Sequence, residues 1–323
     1  MSKVMTLIIL LSSFLYFGEI DAKSISVEKK VIVFSGHVSL KYILYHHQQF
    51  SDGPISGWIA CIYASKPVCK EHNLFADVFW SDIPVPRENL ARDFELARQI
   101  KKKGPLDVFL RLDVTPGKVD WFDDTAWLII RDKFVVTAEI AAAAGFPGIC
   151  LDTEQYQYKP FAYWSHPLSA VKSFAEYQQK ARLRGKQLGH AIKEIYPDIK
   201  IFVTFGNWAV AAEMEHGLAQ EKTSFGLWPS FVDGLLDGSE ELIIVDAYED
   251  AYPYQTYKDF AKGREKGFGT ALHCHLIRSD IYNVFRQDLV SGWPIWANGT
   301  KRFSRIITVL LTNLNTPCTM GYG

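Results

Sequence analysis

The chain of 323 residues lacks several features that would assign it to a functional class directly. Its formal net charge is only −1 at pH 7, which gives no reason to expect a nucleic acid as partner. No glycine-rich phosphate loop follows the first apolar run, because "FSGHVSLKY" lacks the G-x-G-x-x-G spacing. Neither a repeat nor a low-complexity linker divides the sequence. What remains is a globular protein with 48% hydrophobic and 22% charged residues.

Cysteine is scarce, and none of the five copies has the spacing of a metal site. We expect a disulfide between Cys61 and Cys69, which lie close together around a proline, and a buried thiol at Cys150. His273 and His275 have the two-residue spacing of a metal pair, but no third ligand is evident. We therefore expect half-buried histidines there, with no metal and no other cofactor.

Long hydrophobic runs are absent except near the start of the chain. There, Lys3 precedes the apolar run 4–17, and "GEIDA" ends in the small residue Ala22. This pattern predicts a secretory signal peptide over residues 1–22. An uncleaved anchor is the alternative, although the run is shorter than a membrane span. We expect a secreted or secretory-lumen protein that does not associate with a membrane after signal cleavage.

One glycosylation sequon, Asn298-Gly299-Thr300, agrees with secretion. Aromatic residues make up 14% of the chain, and aromatic-lined grooves suit the apolar faces of sugars.

Apolar runs alternate with amphipathic stretches along the rest of the chain. Strands are predicted at 30–36, 57–64, 106–114, 148–154, 199–207, 241–250, 267–276 and 318–323, and helices at 86–103, 127–145, 170–196 and 302–314. Several of these strands are continuously apolar, which is typical of parallel strands buried on both faces. The pattern predicts an α/β protein, a single (β/α)8 TIM barrel over residues 23–323. An open doubly wound sheet is the alternative.

The last predicted strand has no helix after it. Either an early helix fills that place in the barrel or the chain is truncated after the last strand.

Functional residues in such a barrel collect at the carboxyl ends of the strands. The stretch "GFPGICLDTEQYQY" (145–158) ends its apolar run in Asp152 and Glu154. Residues two apart on a strand share a face, about 6.5–7 Å apart, and two close carboxylates raise one pKa toward the range of a general acid. The alternative is that one acid caps the next segment and the other pairs with a cation such as Arg111.

Other strand ends contribute further candidates. We predict five catalytic residues, which are Glu154, Asp152, Tyr248, Glu249 and Asp246. We predict five residues that bind substrate, which are Tyr156, Asp113, Arg111, Asn207 and Trp208.

The segment "GFPGICLDTEQY" resembles the fourth-strand signature of the family 18 chitinase-like enzymes, D-G-x-D-x-D-x-E. Gly148, Asp152 and Glu154 match the signature, whereas Pro147 and Cys150 replace its first two acids. The segment "DAYED" resembles the M-x-Y-D segment of that family. Residues 105–260 also resemble, more loosely, barrel proteins described as glycoside-hydrolase-like.

This resemblance implies that Glu154 protonates the leaving oxygen while Asp152 and Tyr248 steady an acetamido group of the substrate. The other mechanism pairs Glu154 with a carboxylate nucleophile, Asp246 or Glu249. The predicted function is a secreted glycoside hydrolase acting on an oligo- or polysaccharide. A catalytically inactive carbohydrate-binding barrel and a metal-dependent hydrolase using His273 and His275 remain as alternatives. The sequence does not indicate an oligomeric state.

Overall fold

A computed structural model describes residues 28–53, 55–68, 73–239, 241–247, 256, 258–259, 282–283, 285–286 and 305–311. The chain divides into two compact units, Met1–Glu28 with Leu311–Gly323 and Lys29–Leu310. Apart from the end residues Glu28 and Leu311, every element below belongs to the second unit. The predicted signal peptide and the predicted strands at 267–276 and 318–323 lie outside the described residues.

The described elements form a mixed α/β structure around a parallel sheet. Its strands are β1 (Glu28–Ser39), β2 (Gly57–Cys61), β3 (Asp107–Asp113), β4 (Gly148–Asp152), β5 (Lys200–Val203), β6 (Ile243–Asp246), β7 (Tyr282–Asn283), β8 (Phe285–Arg286) and β9 (Arg305–Leu311). The helices are α1 (Leu40–Ser51), α2 (Ala91–Lys103), α3 (Asp124–Ala144), α4 (Phe174–Ile195), α5 (Trp208–Glu215) and α6 (Trp228–Gly238).

Strands β1 to β6 are neighbours in chain order and all run parallel. Each connection between them carries at least one helix, so this part is a series of β-α-β units. Strand β7 adds in parallel beside β6, and β9 lies beside β1 and pairs antiparallel with β8. Because the carboxyl ends of parallel strands meet at one edge, the loops after β1 to β6 leave from the same side.

Both faces of the sheet carry buried side chains. One face carries Leu110, Leu112, Ile149, Leu151 and Val203, which belong to the core cluster that also holds the buried residues of the helices. The side chains on the other face are also buried, namely Ile32, Ile59, Phe109, Cys150, Phe202 and Val245. Burial on both faces explains why these strands read as continuous apolar runs.

Capping residues mark the ends of two of the helices. Ser173 and Glu176 form a capping box at the start of α4. Asp123 caps α3, and Gly145 ends that helix at a φ of 65°, a left-handed conformation that favours glycine.

Helices α4 and α6 approach each other closely because glycines line their contact. A Cβ atom added to Gly189 would lie 2.2 Å from the carbonyl oxygen of Leu235, and one added to Gly234 would lie 2.0 Å from that of Arg182. Any side chain at these positions would push the helices apart.

The prediction of a helix at 302–314 is wrong, because Arg305–Leu311 is the strand β9. This segment contains Ile306, Ile307, Thr308 and Val309, whose β-branched side chains favour extended backbone. The expected Cys61–Cys69 disulfide is not formed, since Cys61 is a buried free thiol. Within the described residues, none of the helices combines the length and apolarity needed to cross a membrane.

Candidate functional site

A buried ion-pair network lies at the carboxyl ends of β3 and β4. The guanidinium of Arg111 contacts Asp113 Oδ1 through Nε at 2.6 Å and Asp152 Oδ2 through Nη2 at 2.7 Å. Asp113 and Asp152 are aligned in the parallel register of β3 and β4, so their side chains point to the same side. The structure therefore brings three of the predicted site residues into direct contact.

The same guanidinium is held from the side of β1. Its carbon atom Cζ lies 4.8 Å from the centre of the Phe34 ring, and Nη1 donates to the carbonyl of Gly36 at 3.2 Å. Arg111 thus links β3 to β4 and β1. It stabilises this part of the sheet and is also a candidate for substrate binding.

Two carboxylates share this one guanidinium, and the pKa of one of them, Asp113, is shifted. Burial, which outweighs the attraction of Arg111, raises the pKa of Asp113 to about 7, and the charge of Asp152 adds to the rise. Burial alone would lower the pKa of Arg111, but the carboxylates of Asp113 and Asp152 outweigh it and raise that pKa, so the guanidinium stays charged.

Asp152 is fixed by further hydrogen bonds. Its Oδ1 atom accepts from the hydroxyl of Thr204 at 3.0 Å and from the backbone N–H of Glu154 at 3.1 Å. Both carboxylate oxygens of Asp152 are therefore engaged. From the sequence, the alternative was that one acid caps the next segment and the other pairs with a cation such as Arg111. In the structure Asp152 alone does both.

Thr204 also connects β4 to β5. Its hydroxyl accepts from the backbone N–H of Thr153 at 2.9 Å while it donates to Asp152. The Thr153 hydroxyl accepts in turn from the backbone N–H of Phe205 at 2.9 Å. These bonds set the path of the loop that carries Glu154.

Glu154 lies two residues beyond the end of β4, in a half-buried position. Its backbone carbonyl accepts from the hydroxyl of Thr115 at 3.0 Å, so the main chain is held by loops on both sides. Tyr156 follows in the same loop and is 67% exposed.

Asn207 and Trp208 stand at the start of α5, after β5. Asn207 is 4% exposed, and its Oδ1 atom has no hydrogen-bond partner among the described residues. Trp208 is half-buried and stacks on Phe205, with ring centres 5.2 Å apart. The stack continues from Phe205 to Phe225, with ring centres 5.5 Å apart and planes at 11°. Trp208 therefore belongs to an aromatic stack beside the carboxyl end of β5.

Asp246 lies at the carboxyl end of β6, on the side of the sheet that faces the helices by register. It is aligned with Val203 and, through β5, with Leu151, which both point into the core cluster under the helices. Its Oδ2 atom would lie 1.7 Å from a Cβ atom added to Gly206, so the carboxylate packs against the loop between β5 and α5. By register, Asp246 belongs to the opposite face from Asp152. Tyr248 and Glu249 lie outside the described residues.

Two buried thiols adjoin the network. Burial raises the pKa of Cys150 well above that of a free thiol, and the charge of Asp152 adds to the rise. Cys61, the last residue of β2, has its thiol pKa raised in the same way by burial. Cys150 therefore cannot replace the acid that stands at its position in the chitinase-like signature.

Sequence reasoning assigned no role to several residues that shape this region. Thr204 and Thr153 orient Asp152 and its loop, and their only signal was their place just after apolar runs. Asp77 lies in the short 3-10 helix Ala76–Val78, far from any predicted strand end. Contacts of that kind depend on register and loop path, which no local pattern contains.

Neither a family model nor a curated protein matches the chain. Nine chains of solved structures match it. One is a cellulase–inhibitor complex, with a TM-score of 0.40, 12% identity and coverage of 75% of this chain and 67% of that chain. Another is a hyperthermophilic endocellulase from the archaeon Pyrococcus horikoshii, with a TM-score of 0.38, 13% identity and coverage of 75% and 65%. Likeness at this level carries no argument about activity.

Proposed function

We propose that the protein is a glycoside hydrolase on a single (β/α)8 barrel, which cleaves an oligo- or polysaccharide with Glu154 as proton donor. The observation that carries the proposal is the anchored Asp152, whose Oδ1 accepts from the backbone N–H of Glu154 at 3.1 Å. This contact places a half-buried glutamate directly beside a polar cluster at the carboxyl edge of the sheet.

The barrel is supported by the burial of both sheet faces. One face packs against the helices, while the other carries buried side chains such as Phe109, Cys150 and Phe202. A sheet that curls around its own inner face buries such side chains without a second layer of helices.

The different roles proposed for Asp152 and Glu154 follow from their contacts. Asp152 has both oxygens occupied by Arg111, Thr204 and the Glu154 backbone, so it positions the loop and does not transfer a proton. Glu154 is the acid of the pair that is more open to solvent. A carboxyl group in such a half-buried site is suited to general acid catalysis.

Substrate contacts would come from the same edge. The buried Oδ1 of Asn207 is an acceptor for a sugar hydroxyl. Tyr156 offers an exposed ring to the apolar side of a pyranose, and Trp208 contributes to the aromatic stack beside the carboxyl end of β5.

Two mechanisms fit the proposal, and they differ in the group that acts as nucleophile. A substrate acetamido group could act as internal nucleophile, or a carboxylate from the segment after β6 could do so. Because Asp246 lies on the helix-facing side by register, Glu249 is the better candidate from that segment.

Glu154→Gln tests the proposal. We expect release of reducing ends from the susceptible polysaccharide to fall by about 10²–10⁴-fold, the usual worth of a general acid. Glu194→Gln is the matched control, since Glu194 is an exposed glutamate on α4 that pairs with His190 at the surface. Unchanged hydrolysis by Glu154→Gln, with an unaltered thermal transition, would disprove the assignment.

A catalytically inactive carbohydrate-binding barrel is the second candidate, and one observation favours it. Cys150 holds a protonated, buried thiol where the chitinase-like signature has an acid, and Asp152 is fully engaged. A glycan array combined with a reducing-end assay separates the two functions. Retention of a glycan without cleavage of that glycan would decide for the binding protein.

We also propose that the chain is secreted after removal of residues 1–22. Expression in a eukaryotic secretory host should yield a product in the medium that begins at Lys23, as N-terminal sequencing would show. A cell-retained product that still starts at Met1 would contradict this.

A further inference from the structure

A second group of polar side chains lies at the same edge, on the side of β1. His37, Asp77 and Asp113 each place one nitrogen or oxygen atom within 4.8 Å of the others. They come from three separate segments, namely β1, the 3-10 helix Ala76–Val78 and the end of β3. The sequence offers no spacing that would predict this group, since its members are far apart in the chain.

The backbone around His37 is held from two directions. Gly36 adopts a φ of 43° and its carbonyl accepts from Arg111, and the carbonyl of His37 accepts from the hydroxyl of Tyr63 at 2.9 Å. These contacts fix the main chain on both sides of the His37 Cα atom, from which the imidazole reaches the two carboxylates.

The local charge favours a cation. Asp113 and Asp152 already share Arg111, and Asp77 brings a third carboxylate to one side of that pair. Three carboxyl groups stand around one guanidinium in this network, in a region where Asp113 and Asp152 are buried. A bound cation would stabilise all three as carboxylates, since close like charges in a poorly solvated region otherwise repel strongly.

The site is reachable from solvent. His37 lines a cavity of about 360 Å³, and Asp77 lines another of about 510 Å³. His37 itself is exposed, while Asp113 forms the buried floor of the cluster.

We propose that His37, Asp77 and Asp113 bind a divalent transition-metal cation of the Zn²⁺ or Mn²⁺ class. One imidazole nitrogen with two carboxylate oxygens suits these ions better than Ca²⁺ or Mg²⁺, which prefer oxygen ligands alone. Ligand atoms about 2.0–2.2 Å from the ion would lie closer together than 4.8 Å, so binding draws the three side chains inward. Three protein ligands leave a position for water.

Calorimetric titration of the chelator-treated, full-length protein with ZnCl2 and with MnCl2 tests the proposal. We expect one site per chain for at least one of the two ions. His37→Ala and Asp77→Asn should each weaken binding by at least about tenfold, because even loss of a partner that only orients a metal ligand costs about 10–100-fold. His190→Ala, at an exposed histidine of α4, should bind like the parent chain.

Two results would overturn the proposal. One is the absence of binding to either ion at millimolar concentration in a folded sample. The other is binding that is lost in a His273→Ala/His275→Ala double variant and unchanged in His37→Ala, which would move the metal to those histidines. Thermal melts of each variant, taken without metal, show whether the fold is intact.

Discussion

Arg111 Nη2 lies 2.7 Å from Asp152 Oδ2, so the carboxylate that orients the Glu154 loop depends on a cation of the neighbouring strand. Arg111→Met would leave Asp113 and Asp152 buried without this partner. We expect the free energy of unfolding at pH 7 to fall by about 3–5 kcal/mol, as for other broken buried ion pairs. Chemical denaturation measures this.

Arg131→Met is the matched control for that substitution. Arg131 pairs with Asp132 on the exposed surface of α3, where an ion pair contributes about 0–1 kcal/mol. Equal losses in the two variants would show that the Arg111 pairs do not stabilise the fold in the way described.

Thr204→Val removes the hydroxyl that bridges Asp152 and the backbone of Thr153 while keeping the shape of the side chain. We expect a loss of about 1–3 kcal/mol in the free energy of unfolding, because a buried donor and a buried acceptor lose their partner. Thr204→Ser keeps the hydroxyl and should lose less. A valine variant at least as stable as the serine variant would contradict this role.

Gly189→Ala tests the close approach of α4 and α6. Alanine favours helices over glycine by about 1 kcal/mol, but its Cβ would lie 2.2 Å from the Leu235 carbonyl oxygen. We expect net destabilisation of about 1–3 kcal/mol from overpacking. Gly53→Ala is the control, since a Cβ there meets nothing nearer than 3.4 Å. Stabilisation by Gly189→Ala in a denaturant titration would refute the packing argument.

Lys133 makes stability depend on pH. It is 2% exposed, its ammonium donates to the carbonyls of Val78 and Ser81, and burial lowers its pKa to about 7. Between pH 7 and about 10, the unfolded chain therefore binds a proton that the folded chain has lost. The free energy of unfolding should rise through this window, by up to about 1.4 kcal/mol per pH unit from this group.

Lys133→Met isolates this contribution. Its free energy of unfolding, measured from pH 6.5 to 9.5, should lack the rise that the parent chain shows in that range. Parallel pH profiles for the two proteins would mean that Lys133 keeps an ordinary affinity for its proton.

The sequence predicted the six parallel strands from their apolar runs, several of which are continuous because burial on both faces leaves that pattern. Helices α2, α3 and α4 were predicted from their periodicity. Helices α1, α5 and α6 were not predicted; α5 has only eight residues and α6 contains Pro229 and Gly234. The strand β9 was mistaken for a helix because an apolar run of that length fits both periods.

Prediction of the site from the sequence was limited by the register between strands. Asp152 and Glu154 stood out as acids after an apolar run, and Arg111 was named as a possible partner. Which acid pairs with Arg111 depends on the register between β3 and β4, and the face of Asp246 depends on the register between β5 and β6. Local sequence does not determine either register.

Cys61 and Cys150 lie fully buried in β2 and β4, the two strands that flank β3, with thiol pKa values raised by burial. Only a thiolate exposed to solvent reacts with an alkylating reagent, so each cysteine can be labelled only when its strand opens. Peptide mass spectrometry after timed alkylation would therefore give two labelling rates. The rate at Cys61 reports the opening of β2, and the rate at Cys150 reports the opening of β4. Comparison of the two rates would show whether these two strands separate from the sheet together or one at a time.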